Sequence, residues 1–322
     1  MGQNLINIKN VSKSFYLKKS LWELIYPFNF HNKKIIRAVR DITFDIKIGE
    51  IVGLVGESGC GKSTLGRIIC DILKPDCGEI SFSKQEISLD SLEIQMIFQD
   101  PFNSLNPRYR IKNIIAEAPL FHKLISKDEI DAFTDNLLHQ CGLNKDVKNR
   151  FAHQLSGGQR KRIGIARALA VNPKLIVCDE AVAGLDVSIQ AQILNLFFKL
   201  QKKYDLTYLF ISHDLSVVEH ISDKIIIMYF GSIVEMASAE NLFKNPNHPY
   251  TKALLGQIPN INKRNVNFEP IKGEIPSATN SPNGCKFHPR CKNVKNICRE
   301  IEPKLSEISP GWFSACHMNS NL

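Results

Sequence analysis

The stretch Ile51-Val-Gly-Leu-Val-Gly-Glu-Ser-Gly-Cys-Gly-Lys-Ser-Thr64 decides the fold. Ile51 to Val55 reads as a short buried strand that runs straight into a glycine-rich turn. Gly56, Glu57, Ser58, Gly59, Cys60, Gly61, Lys62, Ser63 and Thr64 then fit the spacing G-x-x-x-x-G-K-[ST]. Residues 62–73 read as a helix, with Pro75 and Gly78 marking its end. Strand, turn and helix in that order are the setting of a phosphate-binding loop. The glycines let backbone N–H groups curl round phosphate oxygens, and the helix N-terminus adds a favourable dipole. Lys62 brings positive charge to the β- and γ-phosphates of a nucleotide, and the Ser63 hydroxyl suits Mg²⁺.

Outward from this loop the chain alternates strands and helices. Residues 5–11 and 42–48 alternate apolar and polar as half-exposed strands do, and 94–98, 174–178, 206–211 and 224–230 are further strand candidates. Such alternation predicts an α/β protein with a parallel, doubly wound sheet. The segment 101–156 has another character: it opens on turn residues and becomes helical, with Ile130, Phe133, Leu137, Leu138 and Cys141 on one apolar face. It reads as a helical subdomain inserted in the core. After about residue 258 the composition shifts to Pro, Asn, Lys and Cys with weak periodicity, which predicts a loop-rich extension, 259–322, appended to a domain spanning 1–258.

The 322 residues are 43% hydrophobic and 23% charged, enough apolar material for a packed core and too much for a disordered chain. No apolar run reaches the roughly 18 residues of a membrane span. The N-terminus also lacks the basic and apolar regions of a secretory signal, so a cytosolic protein is expected. Net charge is +9, and residues 1–48 hold nine Lys/Arg against three acidic side chains. Such a section can serve nucleic acid, an anionic membrane surface, a phosphate ligand or solubility alone. The insert 17–35 within it carries Trp22, Tyr26, Phe28 and Phe30 among lysines, a composition that suits either a surface excursion or contact with a lipid interface.

Two further stretches carry chemistry. Leu175-Ile-Val-Cys-Asp-Glu180 is an apolar strand ending in two carboxylates: Asp179 is placed to hold Mg²⁺, and Glu180 to polarise an attacking water as general base. Leu155-Ser-Gly-Gly-Gln159 opens a helix with a hydroxyl and bare backbone N–H groups, a second phosphate-binding device. One nucleotide does not need two cradles from one subunit, so Ser156, Gly157, Gly158 and Gln159 are expected to serve a neighbour's nucleotide. A plain helix start capped by Ser156 would explain the serine but not the Gly-Gly-Gln after it.

Together, 56–64, 155–159 and 175–180 resemble the Walker A, signature and Walker B motifs of ATP-binding-cassette (ABC) ATPases, and the resemblance covers nearly the whole chain. It implies a P-loop ABC ATPase core with N-terminal antiparallel strands, an inserted helical subdomain and a C-terminal extension, binding ATP and Mg²⁺. By the same resemblance Gln99 is the Q-loop glutamine that senses Mg²⁺ and faces the membrane partner. Asp186 is the D-loop aspartate, His213 the switch histidine, and Phe15 the adenine-stacking aromatic, with Tyr16 its rival. Met96 to Arg108, Leu185 to Gln192 and Asn247-His-Pro-Tyr-Thr-Lys-Ala-Leu-Leu255 resemble dipeptide/oligopeptide importers, closest to the F-type subunit usually paired with a D-type ATPase. Ala181 stands where that family has Pro, and Ala183-Gly184 replaces Ser-Ala.

The resemblance thus implies a peripheral ATPase on the cytoplasmic face of the cell membrane. Its partners would be two transmembrane permeases, a D-type ATPase or a second copy, indirectly a substrate-binding protein, and no nucleic acid. The rivals are a soluble ABC ATPase acting on nucleic acid or in cluster assembly, and an importer of a nickel chelate or glutathione. Of nine cysteines, Cys285, Cys291, Cys298 and Cys316 crowd into the last 38 residues with the spacing C-x5-C-x6-C-x17-C. Their arrangement leaves iron–sulfur, zinc and free thiols open. The resemblance implies a [4Fe–4S] cluster; His288 and His317 nearby are either substitute ligands or bystanders.

Overall fold

The computed structural model describes residues 3–16, 35–82, 92–100, 104–257, 271, 273, 276–277, 279 and 281–319. Apart from Ile35, the basic-aromatic insert lies outside them. An antiparallel sheet joins β1 (Asn4–Tyr16) to β2 (Ile35–Lys47) and β4 (Cys77–Phe82). In the larger, eight-stranded core sheet, β3 (Ile51–Val55), β5 (Ile94–Ile97), β6 (Leu175–Asp179), β7 (Thr207–Ser212) and β8 (Lys224–Tyr229) run parallel. Antiparallel to these or to one another follow β9 (Ser232–Ser238), β10 (Ser306–Ser309) and β11 (Trp312–Ser314), giving the order β10-β11-β9-β8-β3-β7-β6-β5. Every residue of β3, β6 and β7 is buried, which is why these strands read as unbroken apolar runs rather than alternating ones. The inward residues Ile6, Ile8, Ile42 and Phe44 of the smaller sheet pack on Val52, Leu54 and α1 (Lys62–Ile69). The helix is shorter than 62–73, because Asp71 takes a left-handed conformation at φ +56°.

The register positions the chemistry. Val55 pairs with Ser212, Asp179 with Ile211, and Ile97 with Cys178. The carboxyl ends of β3, β7, β6 and β5 therefore lie almost level. The segments that follow them, opening on Gly56, His213, Glu180 and Phe98, leave the sheet along one edge. Ligands of parallel α/β sheets bind at such an edge.

The inserted helical segment contains α2 (Ile111–Phe121) and α3 (Ile130–Gln140), with short 3-10 turns at 127–129, 145–149 and 152–154. Leu137, Leu138 and Cys141 are buried as the periodicity predicts, and Phe133 is half-buried against the same cluster. The helix that follows, α4 (Gly157–Leu169), carries this subdomain back to β6.

The extension is more than a loop-rich tail. Its β11 pairs with β9, and β10 pairs with β11, so it extends the core sheet by two strands. Phe287 and Trp312 enter a core shared with Tyr229, Leu242 and Tyr250. The rings of Tyr229, Tyr250 and Phe287 lie 4.6–5.4 Å apart, within the range of favourable aromatic pairs. At the seam the buried Glu235 carboxylate accepts from the Asn247 N–H (2.8 Å), the His248 N–H (2.9 Å) and the Trp312 indole N–H (2.9 Å). Three donors make burial of that charge tolerable.

The same seam predicts acid sensitivity. His248 Nδ1 accepts from the Tyr250 N–H at 3.1 Å. Burial lowers the imidazole pKa to about 4, against a weaker upward pull from a hydrogen bond to the Ala315 backbone. The folded state thus holds a neutral imidazole that the unfolded chain protonates near pH 6.5. This contribution is fully present above that value and lost as pH falls toward 4; at pH 5 the loss is on the order of 2 kcal/mol. Melting curves at pH 7.5 and 5.0 should show it, and His248→Asn should flatten that part of the slope.

Candidate functional site

The turn after β3 requires its glycines. A Cβ on Gly56 would sit 2.1 Å from the Met228 carbonyl oxygen. One on Gly61, at φ +107°, would sit 2.0 Å from the Ala38 carbonyl oxygen. Gly61 is also the N-cap of α1 and supplies no side-chain cap bond, so the N–H groups of the first turn are left for a ligand. Lys62 is 5% exposed, and its ammonium donates to the Gly56 carbonyl (2.7 Å) and the Glu57 carbonyl (3.0 Å). The loop encloses a cavity of 590 Å³ lined by Glu57 to Thr64, Ile36 to Ala38 of β2, Gln99, Glu180, Tyr229 to Gly231 and Pro276.

Opposite the loop, Asp179 is buried and accepts from the Ser63 hydroxyl at 2.9 Å; burial raises its carboxyl pKa. Glu180 takes φ +48°, a strained value for this residue type and one met at functional sites. The turn separates the two carboxylates. That of Asp179 meets Ser63, whereas that of Glu180 lies between the Gln99 amide, which donates to Oε2, and His213 Nδ1, 3.2 Å from Oε1. Gln99, Glu180 and His213, 114 positions apart in sequence from first to last, thus meet at one point beside the phosphate loop.

One residue here was not legible. The buried ammonium of Lys161, on α4, donates to the Gln99 carbonyl (2.7 Å) and the Glu180 carbonyl (3.3 Å). Burial lowers its pKa, and the charges of Asp100 and Glu180 oppose that shift. In sequence it is one cation in the run Arg160-Lys161-Arg162, which reads as a solvated helix face.

The signature segment lies elsewhere. Ser156 caps α4, accepting from the Gln159 N–H (3.3 Å), while the Gln159 side chain accepts from the Ser156 N–H (3.1 Å). This reciprocal box accounts for Gln159 as well as Ser156, more than a plain serine cap was expected to explain. Gly158 has a packing reason too: a Cβ there would come within 2.8 Å of Ile189, whereas one on Gly157 would meet only Leu185 at 3.7 Å. Among the described residues, none of 156–159 lines the cavity. Asp186 stands exposed at the start of α5 (Val187–Tyr204) without a side-chain cap bond, next to Val187, which is 81% exposed. Phe15 pairs with Ile36, a cavity residue, whereas Tyr16 pairs with Ile35.

The four terminal cysteines do not make a metal site as placed: among the described residues no group of three or more His, Cys, Asp or Glu side chains could hold a metal ion. Burial raises the thiol pKa of Cys285 to about 11 and also raises those of Cys291 and Cys316. His288 and His317 are engaged by the carbonyls of Cys285 and Ile301. The iron–sulfur expectation is therefore not supported. The Mg²⁺ expectation fares differently, since Mg²⁺ takes only one or two protein ligands and completes its shell with phosphates and water. Ser63 and the buried carboxylate of Asp179 are a donor set of that kind.

This fold and site define a P-loop nucleotide-binding ATPase. Residues 39–183 match the ABC transporter family, and 234–298 match the oligopeptide/dipeptide transporter C-terminal region. The oligopeptide transport ATP-binding protein AppF of Bacillus subtilis is 46% identical over 332 residues, covering 99% of this chain and 98% of that protein. A probable peptide ABC transporter ATP-binding protein of Sinorhizobium fredii is 39% identical, covering 99% and 91%. Among solved structures, cbiO1 of Clostridium perfringens, part of an ABC transporter complex, superposes with a TM-score of 0.62 at 27% identity over 76% of this chain and 92% of its own. A dimeric ATP-binding cassette in a post-hydrolysis state, bound to ADP and Pi, gives 0.61 at 29% over 73% and 99%. The chain belongs to the ABC transporter ATP-binding proteins, in the oligopeptide-transport group.

Proposed function

We propose that this chain is the ATP-hydrolysing subunit of an importer for dipeptides and oligopeptides. It would sit at the cytoplasmic face of the membrane against two permease subunits, with a D-type ATPase or a second copy as its partner and a substrate-binding protein delivering cargo. The observation that carries the reading is the division of the site. Glu57 to Thr64, Gln99 and Glu180 line one cavity, with His213 against the Glu180 carboxylate, and the second glycine-rich helix start, 156–159, does not line it. A second subunit presenting its own signature segment would complete the site. The match of 234–298 to the oligopeptide/dipeptide region supports peptide as the cargo class over nucleic acid or cluster assembly.

In this reading Lys62 and the N–H groups at the start of α1 hold the β- and γ-phosphates. Ser63, Asp179 and Gln99 would hold Mg²⁺, which when bound neutralises charge on the phosphate oxygens. Glu180 takes a proton from the attacking water, and His213 keeps the Glu180 carboxylate oriented while facing the γ-phosphate. Phe15 supports the adenine and Asp186 joins the facing subunit. The test is reconstitution with the permeases and binding protein in liposomes. ATP-dependent uptake of labelled peptide is expected; hydrolysis that ignores peptide and binding protein alike would overturn the cargo assignment.

A further inference from the structure

The second residue of the phosphate loop, Glu57, is held from outside the loop at both its ends. Its backbone N–H donates to the Tyr250 hydroxyl at 3.0 Å, from the helix Pro249–Leu255. Its carboxylate receives a fork from Arg290: Nη1 to Oε2 at 2.6 Å and Nη2 to Oε1 at 2.8 Å. Arg290 lies 233 positions further along the chain, in the short turn His288–Arg290 of the extension, and its side chain is only 5% exposed. The guanidinium is wedged in place. Its carbon lies 6.0 Å from the Tyr229 ring centre, with Nη1 3.5 Å from the Tyr229 hydroxyl. The extension also reaches the cavity directly through Pro276.

This placement has an electrostatic consequence. Glu57 lines the cavity where a triphosphate would bring several negative charges. A free carboxylate there would repel it. A two-bond guanidinium fork cancels that charge and fixes the loop's geometry at once, which a single ammonium does less well.

The geometry points to Arg290 as a positioning residue for ATP binding: the C-terminal extension neutralises Glu57 and holds the phosphate loop in its receptive shape. This rests on the reading of loop 56–64 as the ATP site. A cassette so built depends on its extension for nucleotide affinity, not only for stability.

The test is titration of the full-length chain with Mg·ATP by calorimetry. Wild type must bind; if it does not, the site reading fails rather than this inference. Arg290→Gln should raise the Kd for ATP about tenfold, and raise KM in the assembled transporter with kcat within twofold. Adding Glu57→Gln to Arg290→Gln should bring Kd back to within threefold of wild type, because the unpaired carboxylate is gone. Equal affinity in Arg290→Gln and wild type, or no recovery in the double variant, would overturn the inference. Should Arg290→Gln fail to fold, Arg290→Lys decides: it keeps the charge and loses the fork. Amide exchange of residues 56–60, read by mass spectrometry, should then quicken severalfold, and an unchanged exchange rate would overturn the inference as well.

Discussion

Replacing Glu180 by Gln should lower steady-state ATP hydrolysis by about 10³-fold while leaving ATP binding within a few-fold of wild type. General-base catalysis is worth 10²–10⁴ in rate, and a thousandfold corresponds to about 4 kcal/mol of barrier. The geometry says why the loss should fall on turnover. Asp179 is engaged with Ser63, whereas the Glu180 carboxylate has one oxygen toward His213 and the other toward Gln99. An amide in place of that carboxylate would keep the length and one acceptor oxygen but could not take a proton from water. Subunits that close on ATP would then fail to reopen, so a nucleotide-dependent dimer should accumulate in size-exclusion chromatography with light scattering. Turnover within tenfold of wild type would place the base elsewhere.

What the sequence made legible follows from how tightly each chemistry restricts its residues. Phosphate binding needs glycine where a Cβ would strike backbone, as at Gly56 and Gly61, so the loop announces itself in any chain. Asp179-Glu180 was readable as a pair of carboxylates closing an apolar strand, whereas His213 came only from the family resemblance, since a lone histidine after a strand marks no site by itself. Lys161 and Arg290 were not readable, because a cation looks the same in sequence whether solvated or buried, and their partners lie far along the chain. Arg290 and Glu57 meet only because the extension docks on β9. That docking was hidden too: β10 and β11 are four and three residues long, too short for a period-2 pattern to emerge. In β9 the buried Glu235 breaks an otherwise apolar run, and its charge gave no sign of the three donors awaiting it.

Lys62→Ala should weaken ATP binding at least a hundredfold, which is about 2.7 kcal/mol or more. The Lys62 ammonium donates to the carbonyls of Gly56 and Glu57. Carbonyl oxygens are neutral acceptors. Phosphate oxygens carry charge and form bonds roughly twice as strong, so the amine is poised to exchange one set of partners for the other. Hydrogen bonds to charged groups contribute about 1.5–3 kcal/mol each, and the truncation removes all of those made by this side chain. It also leaves two loop carbonyls without their buried donor, so part of the loss is the loop's own relaxation. Lys62→Arg separates the two effects: it keeps the cation but puts a broad planar group where a compact ammonium fits, and its Kd should stay at least tenfold above wild type. If Lys62→Ala bound Mg·ATP within threefold of wild type by calorimetry, the loop would not be the phosphate site, and the roles assigned to Ser63, Asp179 and Glu180 around it would fall with it.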